Sequence, residues 1–97
     1  MRFDPKYLGH LEVSPKAQEV IDQSTMPLGE LLEKHTKGQW GQISETERSM
    51  NQSSIVDGEG TVMSFHDLEY EMILIRTRLS PFKNERHTEV VTGFEFN

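Results

Sequence analysis

The spacing of apolar residues changes once along this chain, at the short segment Asp57-Gly58-Glu59-Gly60. Before this segment, apolar side chains recur every three or four residues, which is typical of amphipathic helices. After it, apolar and polar side chains alternate, which is typical of strands that bury one face. This order of patterns predicts an α+β fold, in which helices cover one face of an antiparallel sheet.

Three helices are predicted before residue 57. The first begins at Ser14-Pro15, a capping hydroxyl followed by proline at the first helical position, and it ends near Ser24. The second begins at Pro27 and ends at Gly38, because glycine readily takes the left-handed conformation that stops a helix. Its apolar face has side chains at positions i, i+3, i+4 and i+7, namely Leu28, Leu31, Leu32 and His35.

A tight corner is predicted after the second helix. Trp40 lies between Gly38 and Gly41, and we expect its ring to be buried, because the glycines let the backbone fold around it. An exposed Trp40 at a protein interface is the alternative. Ser44 and Glu47 have the spacing of a reciprocal capping box, so a third helix is predicted to begin there.

Three strands are predicted after residue 60, at about 61–66, 70–79 and 87–96. Residues 67–69 are short enough for a hairpin loop, and residues 1–13 are predicted to form an extended arm or a short strand. The 97 residues are expected to form a single domain. It has two to three short N-terminal helices, at about 14–56, packed on a three-stranded antiparallel meander at about 61–96.

Charge and composition exclude several classes of protein. Ten Lys and Arg against sixteen Asp and Glu give a formal net charge of −6, which disfavours direct binding of nucleic acid. Without cysteine, neither disulfides nor thiolate ligands can stabilise the fold. No segment has the length of apolar sequence that a membrane span or a signal peptide requires. We therefore expect a soluble cytoplasmic protein without a membrane partner.

Motifs for enzyme chemistry are missing from the sequence. The four histidines, His10, His35, His66 and His87, do not have the spacing of a helical metal site. There is no nucleophile elbow of the Gly-x-Ser-x-Gly type, and residues 57–60 do not resemble a phosphate-binding loop. We predict no catalytic residue, no metal and no cofactor; a metal-dependent enzyme that gathers the histidines is the alternative.

Acidic residues are concentrated where bases are missing, since no Lys or Arg lies between Ser49 and Ile75. The candidate binding residues in this interval are Asp57, Glu59, Asp67, Glu69 and Glu71. In one strand, the last three would lie on one face at about 6.6 Å intervals, a row of charge that suits a basic groove built for nucleic acid. A solvated strand edge, kept soluble by its charge, is the alternative.

A resemblance is carried by eight residues, Pro27, Leu31, Leu32, His35, Gly38, Trp40, Gly41 and Asn51. With them the chain resembles a family of small, largely uncharacterised proteins from bacterial plasmids, prophages and integrated elements. The family core is a leucine-rich helix ending in His-x-x-Gly-Asp-Trp-Gly, and here Gln39 stands in place of the acid. The resemblance covers roughly residues 7–96 and implies a mobile-element origin.

Two functional hypotheses follow. The first is a non-enzymatic mobile-element accessory protein whose partner is a host protein or protein complex, as in anti-CRISPR or anti-restriction inhibition through the acidic residues. Small acidic proteins from such elements often bind host machinery in this way. The alternative is a small DNA-binding regulator, in which the second and third helices form a helix-turn-helix-like pair and Lys34, Lys37 and Arg48 contact phosphate.

Overall fold

A computed structural model describes residues 1–96 and shows helices on one face of a four-stranded sheet. The helices are α1 (Pro15–Gln23), α2 (Leu28–Thr36) and α3 (Glu45–Asp57). The strands are β1 (His10–Val13), β2 (Gly60–Leu68), β3 (Glu71–Leu79) and β4 (His87–Thr92). Short 3₁₀ turns lie at Pro5–Leu8, Lys83–Glu85 and Gly93–Glu95. The α+β class is therefore confirmed.

The sheet differs from the predicted three-stranded antiparallel meander, because its strand order is β1-β4-β3-β2 and β1 runs parallel to β4. The N-terminal arm supplies this fourth strand. The His10 N–H donates to the carbonyl of Arg86 at 3.1 Å, and the Ser14 N–H donates to the carbonyl of Val90 at 3.0 Å. The prediction missed this pairing because four residues are too few to show a period.

Three of the predicted helix boundaries are confirmed by their caps. The Ser14 hydroxyl accepts the N–H of Ala17 at 3.0 Å at the start of α1. At the start of α3, the Ser44 hydroxyl accepts the N–H of Glu47 at 3.1 Å, and the Glu47 carboxylate accepts the N–H of Ser44 at 2.8 Å. Gly58 ends α3 in the left-handed conformation, with φ +69°.

The core lies between the helices and the sheet. Along β3, Ile73, Ile75, Thr77 and Leu79 are buried on the face that the helices cover, and Leu74 is buried on the other face. Trp40 is 2% exposed and packs with Phe3 and Val62, so its predicted burial is confirmed. No helix among the described residues has both the length and the apolar composition needed to cross a membrane.

The last strand is shorter than predicted, since β4 ends at Thr92. The Glu95 carboxylate accepts the N–H of Thr92 at 2.9 Å and the hydroxyl of Ser14 at 2.7 Å, which turns the chain out of the sheet. Phe96 then lies over the face opposite the helices, where its ring is 6.4 Å from the ring of Phe65. The single-domain prediction extends to residue 97, which lies outside the described residues.

Candidate functional site

The five predicted acidic residues lie in two separate groups. Asp57 is the last residue of α3 and Glu59 precedes β2, whereas the other three lie around the far end of that strand. The eight residue steps of β2 span about 26 Å at the rise of an extended strand. The acids therefore do not form one continuous surface.

The predicted row of Asp67, Glu69 and Glu71 along one face is wrong, because the chain reverses within it. Asp67 pairs with Met72 and Leu68 pairs with Glu71, which leaves Glu69 and Tyr70 as a two-residue turn. Cross-strand partners share a face of the sheet. Asp67 therefore lies on the face opposite the helices and Glu71 on the helix face, with Glu69 between them.

Residues 67–71, which we call the hairpin tip, combine an exposed aromatic ring with unpaired charge. Tyr70 is 82% exposed. The three carboxylates of the tip make no ion pair with any residue in the described part of the chain. The tip therefore presents a tyrosine among carboxylates that form no ion pair within residues 1–96.

The turn at the hairpin tip is strained. Glu69 has φ +65°, a left-handed conformation in a residue that is not glycine. The Tyr70 N–H donates to the carbonyl of Leu68 at 2.6 Å, which closes a three-residue turn. Such strain costs about 1–3 kcal/mol and is concentrated at functional sites in proteins.

A chain of hydrogen bonds crosses the core beneath α2 and fixes the tautomer of His35. The Thr88 hydroxyl donates to the carbonyl of Leu8 at 2.7 Å, so it must accept from the Thr77 hydroxyl at 2.8 Å. Thr77 in turn accepts the Nε2–H of His35 at 2.9 Å. Nδ1 of His35 is left as the acceptor for the Ser64 hydroxyl, at 2.7 Å.

The hydrogen bonds of His35 include the Ser–His contact of a nucleophilic enzyme, but they lack the other features that activate a nucleophile. Ser64 and His35 are both fully buried, so no substrate reaches them. On the far side of His35 lies the hydroxyl of Thr77 in place of a carboxylate that would stabilise an imidazolium. Burial, with a smaller contribution from His66, lowers the pKa of His35 to about 3, which makes it a weak base. These residues connect α2 to the sheet.

The remaining histidines lie apart from this chain of bonds. His10 and His87 stack at 5.7 Å between ring centroids on the paired strands β1 and β4. His66 lies on β2 and faces the helices, and its Nε2 atom is buried without a hydrogen-bond partner. Among residues 1–96, no three His, Asp or Glu side chains come together as a set of metal ligands.

Two of the three bases that were predicted to contact phosphate share one cleft. Lys34 from α2 and Arg48 from α3 both line a cleft of about 410 Å³ beside the end of β2. Lys37 lies outside its lining and pairs with Glu33, one turn back along α2. Sequence reasoning identified Lys34 and Arg48 as candidates, but it did not reveal that His66 lines the same cleft.

The residues that carry the family resemblance hold the corner after α2 together. The Trp40 indole N–H donates to the carbonyl of His35 at 2.9 Å. Gly38 and Gly41 have φ +84° and +71°, and a Cβ at Gly41 would collide with the carbonyl oxygen of Phe65. These contacts stabilise the corner, and the exposed charged residues described above lie outside it.

Comparisons with protein-family models, with curated proteins and with solved structures each gave no match. The geometry and charge of the chain itself therefore carry the functional inference.

Proposed function

We propose that this protein is a non-enzymatic accessory protein of a mobile genetic element and acts by binding a host protein or protein complex. The observation that carries this proposal is the hairpin tip, where Tyr70 is exposed among three carboxylates without internal partners. The mobile-element origin rests on the sequence resemblance.

The chemistry of the hairpin tip suits a basic protein surface. Tyrosine offers a large apolar ring and a hydroxyl at a low cost in side-chain entropy, which is why it is frequent among binding hot spots. The surrounding carboxylates attract a positively charged partner and accelerate its approach. The two-residue turn places the carboxylate of Glu69 at its apex.

The class of partner that we infer is a nucleic-acid-handling defence complex. Such complexes carry basic grooves for phosphate, and an acidic protein that occupies the groove excludes the nucleic acid. The net charge of −6 supports a protein partner of this kind over free nucleic acid. The protein would then be an anti-CRISPR or anti-restriction inhibitor that acts in the cytoplasm, where these complexes meet foreign DNA.

The non-enzymatic part of the proposal is supported by the position of His35. The Nδ1 atom of His35 contacts the hydroxyl of Ser64, as in a catalytic Ser–His pair, but both side chains are fully buried. An enzyme needs its nucleophile within reach of a substrate. A role in packing accounts for these residues without a reaction.

Charge reversal at the hairpin tip tests the proposal. The triple variant Asp67→Lys, Glu69→Lys, Glu71→Lys should no longer capture a partner from host lysate. The complex that the parent protein captures should bind DNA normally in the presence of this variant. The matched control reverses three exposed acids on the helices, Glu19, Asp22 and Glu30. It carries the same net charge and should still inhibit. Full inhibition by the tip variant would exclude this mechanism.

The second acidic group needs its own variant. Asp57 and Glu59 lie at the other end of β2, so the pair Asp57→Lys, Glu59→Lys changes charge without touching the hairpin tip. If this pair weakens inhibition as strongly as the tip variant does, the partner contacts the whole length of β2. If it has no effect, these two acids are solvated and the interface is confined to the tip.

The alternative, a DNA-binding regulator, is favoured only by the shared cleft of Lys34 and Arg48. Titration of duplex DNA at several salt concentrations tests it, because phosphate contacts give a steep salt dependence. Binding that weakens with salt and is lost in Lys34→Gln and Arg48→Gln would favour the regulator. No binding at low salt would remove it.

A further inference from the structure

The outer edge of β2 is covered along part of its length and open beyond it. Both main-chain groups of Met63 bond to the side chain of Asn51. The Phe65 N–H donates to the carbonyl of Trp40 at 2.9 Å, and the Phe65 carbonyl accepts from Gln42 at 3.0 Å. These outward-pointing residues alternate along the strand, and the next in the series is Asp67.

The main-chain N–H and carbonyl of Asp67 point out of the sheet without a partner among residues 1–96. At this point the cleft of about 410 Å³ opens, between the end of β2, the corner after α2 and the first turns of α3. Asp67 is one of the residues that line this cleft, and the fold leaves its main-chain donor and acceptor unused there.

Two cations line the cleft with most of their hydrogen-bonding capacity free. Lys34 makes no ion pair with any residue in the part of the chain that the structure describes. Arg48 is 4.0 Å from Glu45, a contact through Nε that leaves the two terminal nitrogens free. The guanidinium of Arg48 lies 5.9 Å from the centre of the Trp40 ring, which helps to hold it at the wall of the cleft.

His66 adds a buried polar group to the same lining. Its side chain is 8% exposed and no described residue bonds to its Nε2 atom. Burial and the charge of Lys34 lower the pKa of His66, so the ring is neutral at pH 7 and has one N–H to donate. The Nε2 atom itself has almost no accessible surface, so the proposed site does not depend on it.

We propose that this cleft binds a small oxyanion, the phosphate or carboxylate group of a low-molecular-weight ligand. Lys34 and Arg48 supply the opposite charge from two different helices, and the N–H of Asp67 supplies a main-chain donor at the edge of the strand. Oxyanions in proteins are held by this combination of charged side chains and free main-chain N–H groups. Asp67 itself lines the cleft, and its negative charge weakens the attraction.

Titration of the isotope-labelled protein with inorganic phosphate tests the site by NMR, with chloride adjusted to keep the ionic strength constant. We expect saturable shifts of the Trp40 indole and of the Asp67 amide. A parallel titration with acetate distinguishes a phosphate site from a carboxylate site. The test needs no partner protein, and Asp67 is the one residue of the hairpin tip that it involves. Absence of anion binding therefore leaves the proposed function standing. Failure to capture a partner protein likewise leaves the anion site standing.

Single substitutions test whether anion binding weakens when a positive charge is removed and tightens when a negative charge is removed. Lys34→Gln and Arg48→Gln should each weaken binding about tenfold, since each removes a charge-assisted hydrogen bond. Asp67→Asn should tighten binding, because it removes the one opposing charge in the cleft and leaves the main chain intact. Lys37→Gln is the matched control, since Lys37 lies on the same helix outside the cleft, and it should bind as the parent does.

Two results of the titrations and one result of the control overturn the site. One is a shift that grows without saturation in both titrations, which is general ion adsorption to the surface. The other is saturable binding that survives both Lys34→Gln and Arg48→Gln, which places the anion elsewhere. Weakening by the Lys37→Gln control to the same degree would also exclude the cleft, because it would show dependence on overall charge alone.

Discussion

Asn51 bonds to both main-chain groups of Met63: its Nδ2 donates to the carbonyl at 2.8 Å, and its Oδ1 accepts the N–H at 3.0 Å. A side-chain amide thus takes the place of a neighbouring strand. Since β2 is an edge strand, this contact and the pairing of Gly41 with Phe65 cover its centre. An uncovered edge of nine residues would be a site for association with other chains.

Asn51→Ala should lower the free energy of unfolding by about 2–3 kcal/mol, because both main-chain groups of Met63 lose their partner in a part-buried place. The variant should also self-associate more readily through the exposed edge. Urea unfolding followed by Trp40 fluorescence measures the first effect, and size-exclusion chromatography at several concentrations measures the second.

Gln52→Ala is the control, since Gln52 is the next residue on α3 and is exposed. It should change the unfolding free energy by less than about 0.5 kcal/mol. Asn51→Asp isolates the bond to the Met63 carbonyl. It keeps an acceptor for the N–H of Met63 but replaces the donor to the Met63 carbonyl by a carboxylate oxygen, which repels it. If Asn51→Ala unfolds at the same midpoint as Gln52→Ala, the edge contact contributes nothing to stability.

Gly41→Ala should destabilise the protein by about 3 kcal/mol or more. A Cβ at Gly41 meets the carbonyl oxygen of Phe65, and φ +71° is unfavourable for any other residue. The collision falls on main-chain atoms that pair the corner with β2, so no side-chain movement relieves it. Thermal unfolding monitored by circular dichroism gives the measurement.

Substitutions at two other glycines distinguish the cost of steric collision from the cost of backbone strain. Gly58→Ala has a similar φ of +69° but open space around the new Cβ, so we expect a loss of only about 1 kcal/mol. Gly29 lies in α2 without positive φ and also in open space, and Gly29→Ala should add about 0.5 kcal/mol. Equal losses at Gly41 and Gly58 would show that the contact with Phe65 is not limiting.

Stability should fall with acid because His35 is held neutral in the folded state. Its pKa is about 3 when folded, against the usual 6.5 when unfolded, so the unfolded chain binds more protons between these values. The stabilisation is complete above pH 6.5 and is lost as the pH falls toward 3, by about 2 kcal/mol at pH 5. His66, whose pKa is also lowered by burial, acts in the same direction.

Urea unfolding at a series of pH values measures this slope. His35→Gln removes the titrating ring, so its unfolding free energy should vary less with pH, although the variant is less stable at pH 7 because Ser64 and Thr77 lose their partner. Gln52→Ala, which removes no titrating group from an exposed position on α3, should keep the parent slope. An unchanged slope in His35→Gln would contradict the assignment.

Helix ends and strand faces were predictable from the sequence because they depend on neighbouring residues. The cap of Ser44 and Glu47 joins positions three residues apart, and alternation alone determines which side chains of β3 share a face. The parallel pairing of β1 was not predictable, since it joins the first strand to the last. The end of β4 at Thr92 was missed because the hydroxyl of Ser14 helps to hold Glu95 in place.

The acidic residues of the candidate site were predictable from the sequence, but their arrangement in space was not. The base-free interval identified Asp67, Glu69 and Glu71, but which face each residue occupies depends on where the turn falls. A two-residue turn at Glu69 and Tyr70 lacks the glycine that usually marks such turns, so the sequence carried no signal for its position. The partners of His35 were missed for a similar reason, because Ser64 and Thr77 lie on different strands.

The strain at Glu69 leads to a last prediction, in which stability and binding change in opposite directions. Glu69→Gly should raise the unfolding free energy by about 1 kcal/mol, because glycine adopts φ +65° without steric cost. It should also weaken partner capture, because the apex loses its carboxylate. Glu69→Gln keeps the strain and removes only the charge, so its stability should stay within about 0.5 kcal/mol of the parent while capture weakens equally. Urea unfolding and capture from lysate, measured on both variants, separate the two effects.

A glycine variant that is less stable than the parent would show that the turn is unstrained. Capture retained by both variants would place the partner contact away from the apex of the hairpin tip.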